Sequence, residues 1–408
     1  MSSGGFGGGD GTQPGGEAGG SAGAGPLDGL LVADFSRVLA GPLATTMLAD
    51  LGARVIKVER PGAGDDTRHW GPPWTGTSSA YFECANRSKE SVELDLRDPA
   101  DAELARRLAG RADVLVENFK PGTLERYGLG YADLVVTNPG LVYCAISGFG
   151  SGAGAQLPGY DFLVQALGGL MSITGDAGGE PTKVGVALVD VLTSKDAVIG
   201  ILAALRAREA SGHGQRVEVN LLSSLLGALA NQTGSYLATG RVPQRMGNRH
   251  PSIAPYETLR CRDGLLAVCC GNDRQFRNLV TELGVAELAG DPRFATNADR
   301  VAHRVELVKL LEQALGRDSV AGWADRLMQV GVPAGPVGDV ASGLRLAESL
   351  GLAPLVEVGE EHPPQVRHPI SYSANPPIRY APPPRLGEHN SSVRQWLMEC
   401  DGSGDTRS

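Results

Sequence analysis

Asp190 is the residue best placed to do chemistry. It follows the apolar run Val184-Gly185-Val186-Ala187-Leu188-Val189 and precedes a helical pattern beginning near Thr193. A carboxylate where an extended segment meets a helix N-terminus faces unpaired backbone N–H groups and the positive end of the helix dipole. It is therefore expected to stay ionised out of water and to be able to act as a nucleophile. The plainer role is a helix cap, for which aspartate is a preferred residue, and the local sequence by itself favours the cap. A second group of side chains, Arg60, Arg97, Lys120 and Arg126, recurs just past the ends of β-type runs. Collected at one rim they suit a phosphate-bearing ligand, although each taken singly reads as a solvated surface cation.

The elements that must position these groups alternate between β-type and helical patterns. Strands are expected at Gly29 to Phe35, Arg54 to Glu59, Ser91 to Leu96, Asp113 to Phe119 and Leu141 to Ser147. Helices are expected at Pro42 to Leu51, Asp101 to Ala109 and Thr193 to Arg208. Such alternation implies βαβ crossovers and a doubly wound parallel sheet, with ligands at the carboxyl ends of the strands. That rule makes Ser36 to Ala40, Arg60, Arg97 and Asn118 to Lys120 the expected rim. A dinucleotide site is rejected, because DFSRVLAGP after the first strand lacks the glycine pattern, and GFGSGAG at Gly148 to Gly154 reads as a flexible loop.

Residues 1–25 are mostly Gly, Ser and Ala and read as a disordered leader with neither a secretory nor a mitochondrial signature, so the cytoplasm is the expected location. The large domain is expected over 26–239 and a smaller α+β domain over 240–330, with Arg262-Asp263-Gly264 as a hairpin turn. Proline-rich segments mark 331–408 as extended connecting chain, a linker and not a third core. The chain has 408 residues, 42% of them hydrophobic, a formal net charge of -9 and six cysteines. Its acidic balance argues against a nucleic-acid partner, and its apolar runs are too short to cross a bilayer. The vicinal pair Cys269-Cys270 has no metal-ligand spacing, so no metal is expected.

The chain from Pro26 to about Arg394 resembles the class III, or family III, CoA-transferases and the related acyl-CoA racemases. The resemblance rests on the blocks PLDGLLVADFSRVLAGP, GARVIKVERPGAGDDTR, NRSKESVELDL, ADVLVENFKPG, GYDFLVQALGGLMSITG, the Asp190 segment, TGRVPQRMGNRHPSIAPYE, GVPAGPV and LGEHN. It implies a Rossmann-like large domain to which the C-terminal part of 331–408 returns, a smaller domain, and a homodimer of two interlocked chains. It also implies that Asp190 attacks an acyl-CoA to give an anhydride and then an aspartyl-CoA thioester, with neither ATP nor metal. Coenzyme A contacts carry over to Leu39, Ala40, Arg60, Leu94, Arg97, Asn118, Phe119, Lys120, Arg126, Tyr160 and Asp161. Gly247, with Asn248 and His250, stands where a glycine loop is expected to cover the anhydride.

The alternative activity is that of a 2-methylacyl-CoA racemase. The racemases that this chain resembles carry His where Tyr160 stands, and a tyrosine is a poor α-proton base at neutral pH, which favours the transferase. RPGAGDDTRHWGPPWTGTSSAYF, CAISGFG, VNLLSS and SIAPYETLRCRDG resemble members of the family that move CoA between succinyl-CoA and glutarate. A dicarboxylate acceptor calls for a cation at its far end, and Arg37, Arg245 and Arg249 are the candidates.

Overall fold

Six short strands, four of them centred on Val, Ile, Leu and Ala, form the main sheet: β1 (Leu31–Asp34), β2 (Arg54–Glu59), β3 (Lys89–Glu93), β4 (Val114–Glu117), β5 (Val142–Ser147) and β6 (Arg216–Asn220). In the computed structural model, which describes residues 25–76, 78–376 and 380–399, all six pair in parallel in the order β3-β2-β1-β4-β5-β6. The order reverses between β1 and β4, so a crevice opens past their carboxyl ends. Except for Gly25, the leader expected over 1–25 lies outside the described residues. Among the described residues no helix is long and apolar enough to cross a membrane.

Two layers of helices bury the sheet. On one face α1 (Ala40–Asp50) and the long α4 (Leu188–Ser211) pack Ala44, Leu48, Ala197 and Ile201 against Val32, Val114 and Val142. On the other, α2 (Pro99–Arg111) and the C-terminal α10 (Asn390–Glu399) pack Leu104, Leu108, Val393 and Leu397 against Ile56, Val92 and Leu115. The short α3 (Asp161–Leu167) lies between β5 and α4 in sequence. Past α5 (Ala230–Thr239) a second core forms around an antiparallel sheet of β7 (Tyr256–Arg260), β8 (Leu265–Cys269) and β9 (Ala334–Pro336). Its helices are α6 (Asp273–Glu282), α7 (Arg304–Leu315) and α8 (Val320–Gln329), and α9 (Val340–Ser349) follows. The expected turn at Arg262-Asp263-Gly264 does join β7 to β8, pairing Arg260 with Leu265. β9 lies past Val330, so this sheet takes in part of the segment expected to be linker.

Two departures from the sequence reading have physical causes. The third strand runs over Lys89–Glu93 and not Ser91 to Leu96, because Lys89 is buried in an ion pair and so occupies a strand position that an apolar pattern does not reveal. The helix α4 begins at Leu188 and not near Thr193, and no strand directly precedes it. Asp190 is therefore the third residue of a helix and not a junction residue.

Under the carboxyl ends of β1, β2 and β3 lies a buried ionic network. Lys89 meets Asp34 at 3.0 Å and Lys57 meets Asp65 at 2.9 Å, with all four side chains fully out of solvent. Glu59 takes both Nε and Nη2 of Arg68, at 2.8 and 2.7 Å, and the hydroxyl of Ser91. Burial pushes Asp34 up, but Lys89 and Lys57, with the hydroxyls of Ser36 and Thr45, bring it to about 2. Burial also draws Lys57 down, but the carboxylates of Asp65, Asp34 and Glu59 hold it above its ordinary value. Removing one member strands its partners as uncompensated buried charges, so Lys57→Met is expected to destabilise the fold by about 3–5 kcal/mol. The midpoint of urea unfolding, compared with wild type at an unchanged slope, measures it.

Candidate active site

Asp190 lies in the first turn of α4, 9% exposed, at the floor of two cavities. No side chain of the N-cap residue Ala187 closes that turn. The closing carboxylate comes instead from Asp161, whose Oδ1 accepts the backbone N–H groups of Val189 at 2.7 Å and Asp190 at 3.2 Å. Its Oδ2 accepts from Nε2 of Gln165, whose Oε1 in turn accepts the N–H of Val184. Asp161 thus serves as the cap from 29 residues upstream, and Asp190 is left without that duty.

This arrangement corrects the expected charge state of Asp190. Burial, and then the negative charge of Asp161 beside it, push its carboxyl up to about 7, so the N-terminal end of the helix does not keep it in the ordinary carboxylate range. The group is part protonated at neutral pH and ionises fully only above it. An anion of raised basicity is a better nucleophile than an ordinary carboxylate.

The first cavity joins Asp190 to the strand ends. Its walls include Leu39 and Ala40 at the start of α1, Asn118, Phe119 and Lys120 after β4, Gly148 to Gly150 after β5, and Tyr160. No side chain caps α1, whose N-terminus opens here. The amide of Asn118 fixes the rim by accepting from the N–H of Arg37 at 2.9 Å and donating to its carbonyl at 2.7 Å. Val38 has φ 71°, a left-handed conformation that costs a β-branched residue, and its N–H points to the Asp65 carboxylate at 3.3 Å. The ionic network beneath therefore reaches the wall of the site.

The neighbouring cavity continues over β2 and β3, past Arg60, Leu94, Arg97, Phe119, Thr123 and Tyr127, with Arg37 and Phe119 shared between the two. Arg37 lies over the Phe119 ring, 5.1 Å from its centroid, and meets Asp66 at 3.3 Å. Arg97 is paired with Asp95 at 2.9 Å and Arg60 with Asp66 at 3.6 Å, both arginines being largely exposed. Arg126, in the turn after β4, borders neither cavity.

The glycine segment makes its contacts with residues other than those around Asp190. Gly247, at φ 63°, donates its N–H to the carbonyl of Gly175, Asn248 donates to Thr258, and the His250 ring lies 5.2 Å from that of Tyr256. None of the three lines a cavity touching Asp190. Conversely, the stretch expected as a flexible loop supplies a wall of the first cavity through Gly148, Phe149, Gly150 and Gly154. A Cβ on Gly148 would stand 2.4 Å from Cα of Gly159, so this wall requires glycine on both sides. The two glycines that meet there are Gly148, directly after β5, and Gly159, directly before Tyr160.

A parallel α/β sheet with a buried carboxylate beside a strand-end crevice rimmed by cations is an arrangement suited to acyl chemistry on a phosphate-bearing carrier. Comparison with known proteins makes that specific. The chain belongs to CoA-transferase family III, whose profile matches residues 27–390, and it is a CoA-transferase. It is 44% identical to the succinate–glutarate CoA-transferase of Agrobacterium fabrum, over 90% of this chain and 94% of that one. It is 42% identical to the acetyl-CoA:oxalate CoA-transferase of Acetobacter aceti, over 91% and 95%. The crystal structure of a CAIB/BAIF family protein from Brucella suis superposes with a TM-score of 0.83 at 45% identity, covering 92% of this chain and all of that one.

A carboxylate attacks only as the anion, so if Asp190 is the reacting group, kcat/KM for an acyl-CoA is expected to rise roughly tenfold per pH unit below its pKa and to level off above it. With the carboxyl at about 7 the bend falls near neutrality. Asp161→Asn keeps the shape of the cap but removes the repelling charge, so a stopped assay across pH 5–9 should find the acid limb moved to lower pH.

Proposed function

We propose that this enzyme moves CoA between succinyl-CoA and glutarate or a similar short dicarboxylate, with Asp190 as the nucleophile. The observation that carries the reading is the position of Asp190: a buried carboxylate, freed from capping by Asp161, at the floor of the strand-end cleft. The substrate pair is that of the relative at 44% identity, and the relative at 42% that is named for acetyl-CoA and oxalate makes the diacid the common chemistry.

The reaction closes on this chain's own groups. The Asp190 carboxylate adds to the thioester carbonyl, the C–S bond breaks, and CoA leaves as the thiolate with an aspartyl-acyl anhydride left behind. The thiolate then adds to the aspartyl carbonyl and expels the donor as its free carboxylate, leaving an aspartyl-CoA thioester. The acceptor carboxylate attacks that thioester, releases the thiolate again and forms a second anhydride. Attack of the thiolate on the acceptor carbonyl gives the new acyl-CoA and restores the Asp190 carboxylate. The uncapped start of α1 at Leu39 and Ala40 supplies N–H groups for charge developing on the carbonyl oxygen. Arg60, Arg97, Lys120 and the shared Arg37 hold the phosphates of CoA, with Phe119 beside them.

The racemase reading is disfavoured because no histidine lines either cavity that Asp190 touches, so the second base is missing among the described residues. We also infer a homodimer. α5 and α9 bury none of their residues within one chain, and they expose Tyr236, Leu237, Val340 and Leu346. A helix whose apolar side chains face water has lost its main source of stability unless another chain covers them. A cover from the Gly247 segment over Asp190 likewise requires the second copy.

Two measurements test these readings. Asp190→Asn should lower CoA transfer from succinyl-CoA across a series of short diacids by more than roughly a thousandfold while CoA still binds, and wild-type enzyme quenched with borohydride should carry its mark at position 190. Transfer retained in the variant, or a label elsewhere, overturns the nucleophile. Light scattering should give the mass of two chains, and a monomer overturns the dimer.

A further inference from the structure

Besides the CoA cleft, Asp190 borders a second cavity of about 300 Å³. The two share Val38, Tyr160 and Asp190, so the carboxylate is reachable from both. The second is walled by Trp70, Tyr81, Phe162 and the segment from Lys183 to Ala187. Trp70 and Tyr81 meet edge to face, their ring centroids 5.3 Å apart. Aromatic walls of this kind suit the methylene chain of a small acid. Among the described residues Lys183 is the single cation in the lining, set against the carboxylates of Asp161 and Asp190 and the phenols of Tyr81 and Tyr160.

Lys183 is otherwise uncommitted. Its side chain is exposed, it makes no ion pair among the described residues, and its Nζ reaches only the carbonyl of Val184 at 3.3 Å. The three arginines that the sequence offered for a distal carboxylate are placed differently. Arg37 stacks on Phe119 on the CoA side, Arg245 donates to the carbonyls of Ser172 and Gly179, and Arg249 borders a cavity formed with Val301 to Glu306.

We propose that this second cavity is the acid-acceptor site and that Lys183 binds the carboxylate of the acceptor that does not react, which makes Lys183 the residue that selects dicarboxylates over monocarboxylates. The inference rests on the CoA-transfer reading of Asp190. A diacid carries two negative charges towards two carboxylates. Once Asp190 is held as its CoA thioester it is neutral, so the reacting carboxylate approaches without repulsion from it. The far carboxylate then remains to be compensated, and a lysine on a flexible stem at the cavity wall does so as a point charge.

The test uses glutarate and its monomethyl ester, which differ by one charge and one methyl. Binding is measured by calorimetry on the full-length wild-type, Lys183→Met and Lys183→Arg enzymes. Transfer to each acid is measured at saturating CoA donor. Wild type is expected to favour glutarate by tenfold or more in both assays, Lys183→Met to bring the ratio close to one through KM for glutarate, and Lys183→Arg to restore most of it. A ratio unchanged in Lys183→Met, an equal loss for both acids, or a wild-type enzyme that does not distinguish or bind them overturns the assignment. Lysine-dependent glutarate binding with no CoA transfer to any acid would leave this site standing and instead refute the transferase reading.

Discussion

The site depends on charges that never meet water. Two lysines and three carboxylates, with Arg68, fill the space beneath the ends of β1, β2 and β3, where apolar side chains would be the ordinary choice. Such a cluster adds little net stability, because desolvation consumes most of the attraction, but it tolerates few alternative geometries. Asp65 illustrates the result. One oxygen faces Lys57 in the core while the carboxylate also receives the N–H of Val38, the left-handed residue in the wall beside Asp190. The backbone between β1 and α1 is held in a costly shape by an interaction made in the interior.

A second carboxylate links fold to chemistry in the same economical way. Asp161 completes the first turn of α4 by taking two backbone N–H groups, and its negative charge then adds to burial in raising the pKa of Asp190. The helix start and the raised pKa of Asp190 therefore share one cause. An aspartate left to cap its own helix would have its lone pairs committed to the backbone and would be a poorer attacking group.

Much of the sheet was legible because its strands are apolar runs separated by helical periods, and Arg54–Glu59 was placed to the residue. The strand-end rule found the cleft, and most of the residues carried over from the resemblance, from Leu39 and Ala40 to Asn118, Phe119 and Tyr160, do line it. Local pattern failed where a partner was remote. The start of α4 is set by Asp161 and β3 is extended by the pairing of Lys89 with Asp34, neither of which leaves a short-range mark. Lys183 escaped notice because it stands in an irregular stretch with no period to flag it. Arg126 follows a strand as the others do, yet it lines neither cavity.

The outer strand of the sheet shows how the two ends of the chain depend on each other. β3 has a neighbour on one side only, and on the other its backbone is met by the C-terminal segment. His389 exchanges hydrogen bonds with Ser91, Asn390 accepts the N–H of Glu93, and Arg394 donates to the carbonyl of Glu93. These contacts close loops of about 300 residues, and they blunt an edge that would otherwise be open to pairing with other chains. During synthesis the sheet must therefore wait, with that border bare, until the last turn of helix leaves the ribosome. A chain cut short near residue 385 would present a nearly finished domain with a sticky rim, and its loss would show as aggregation before it showed as a missing site.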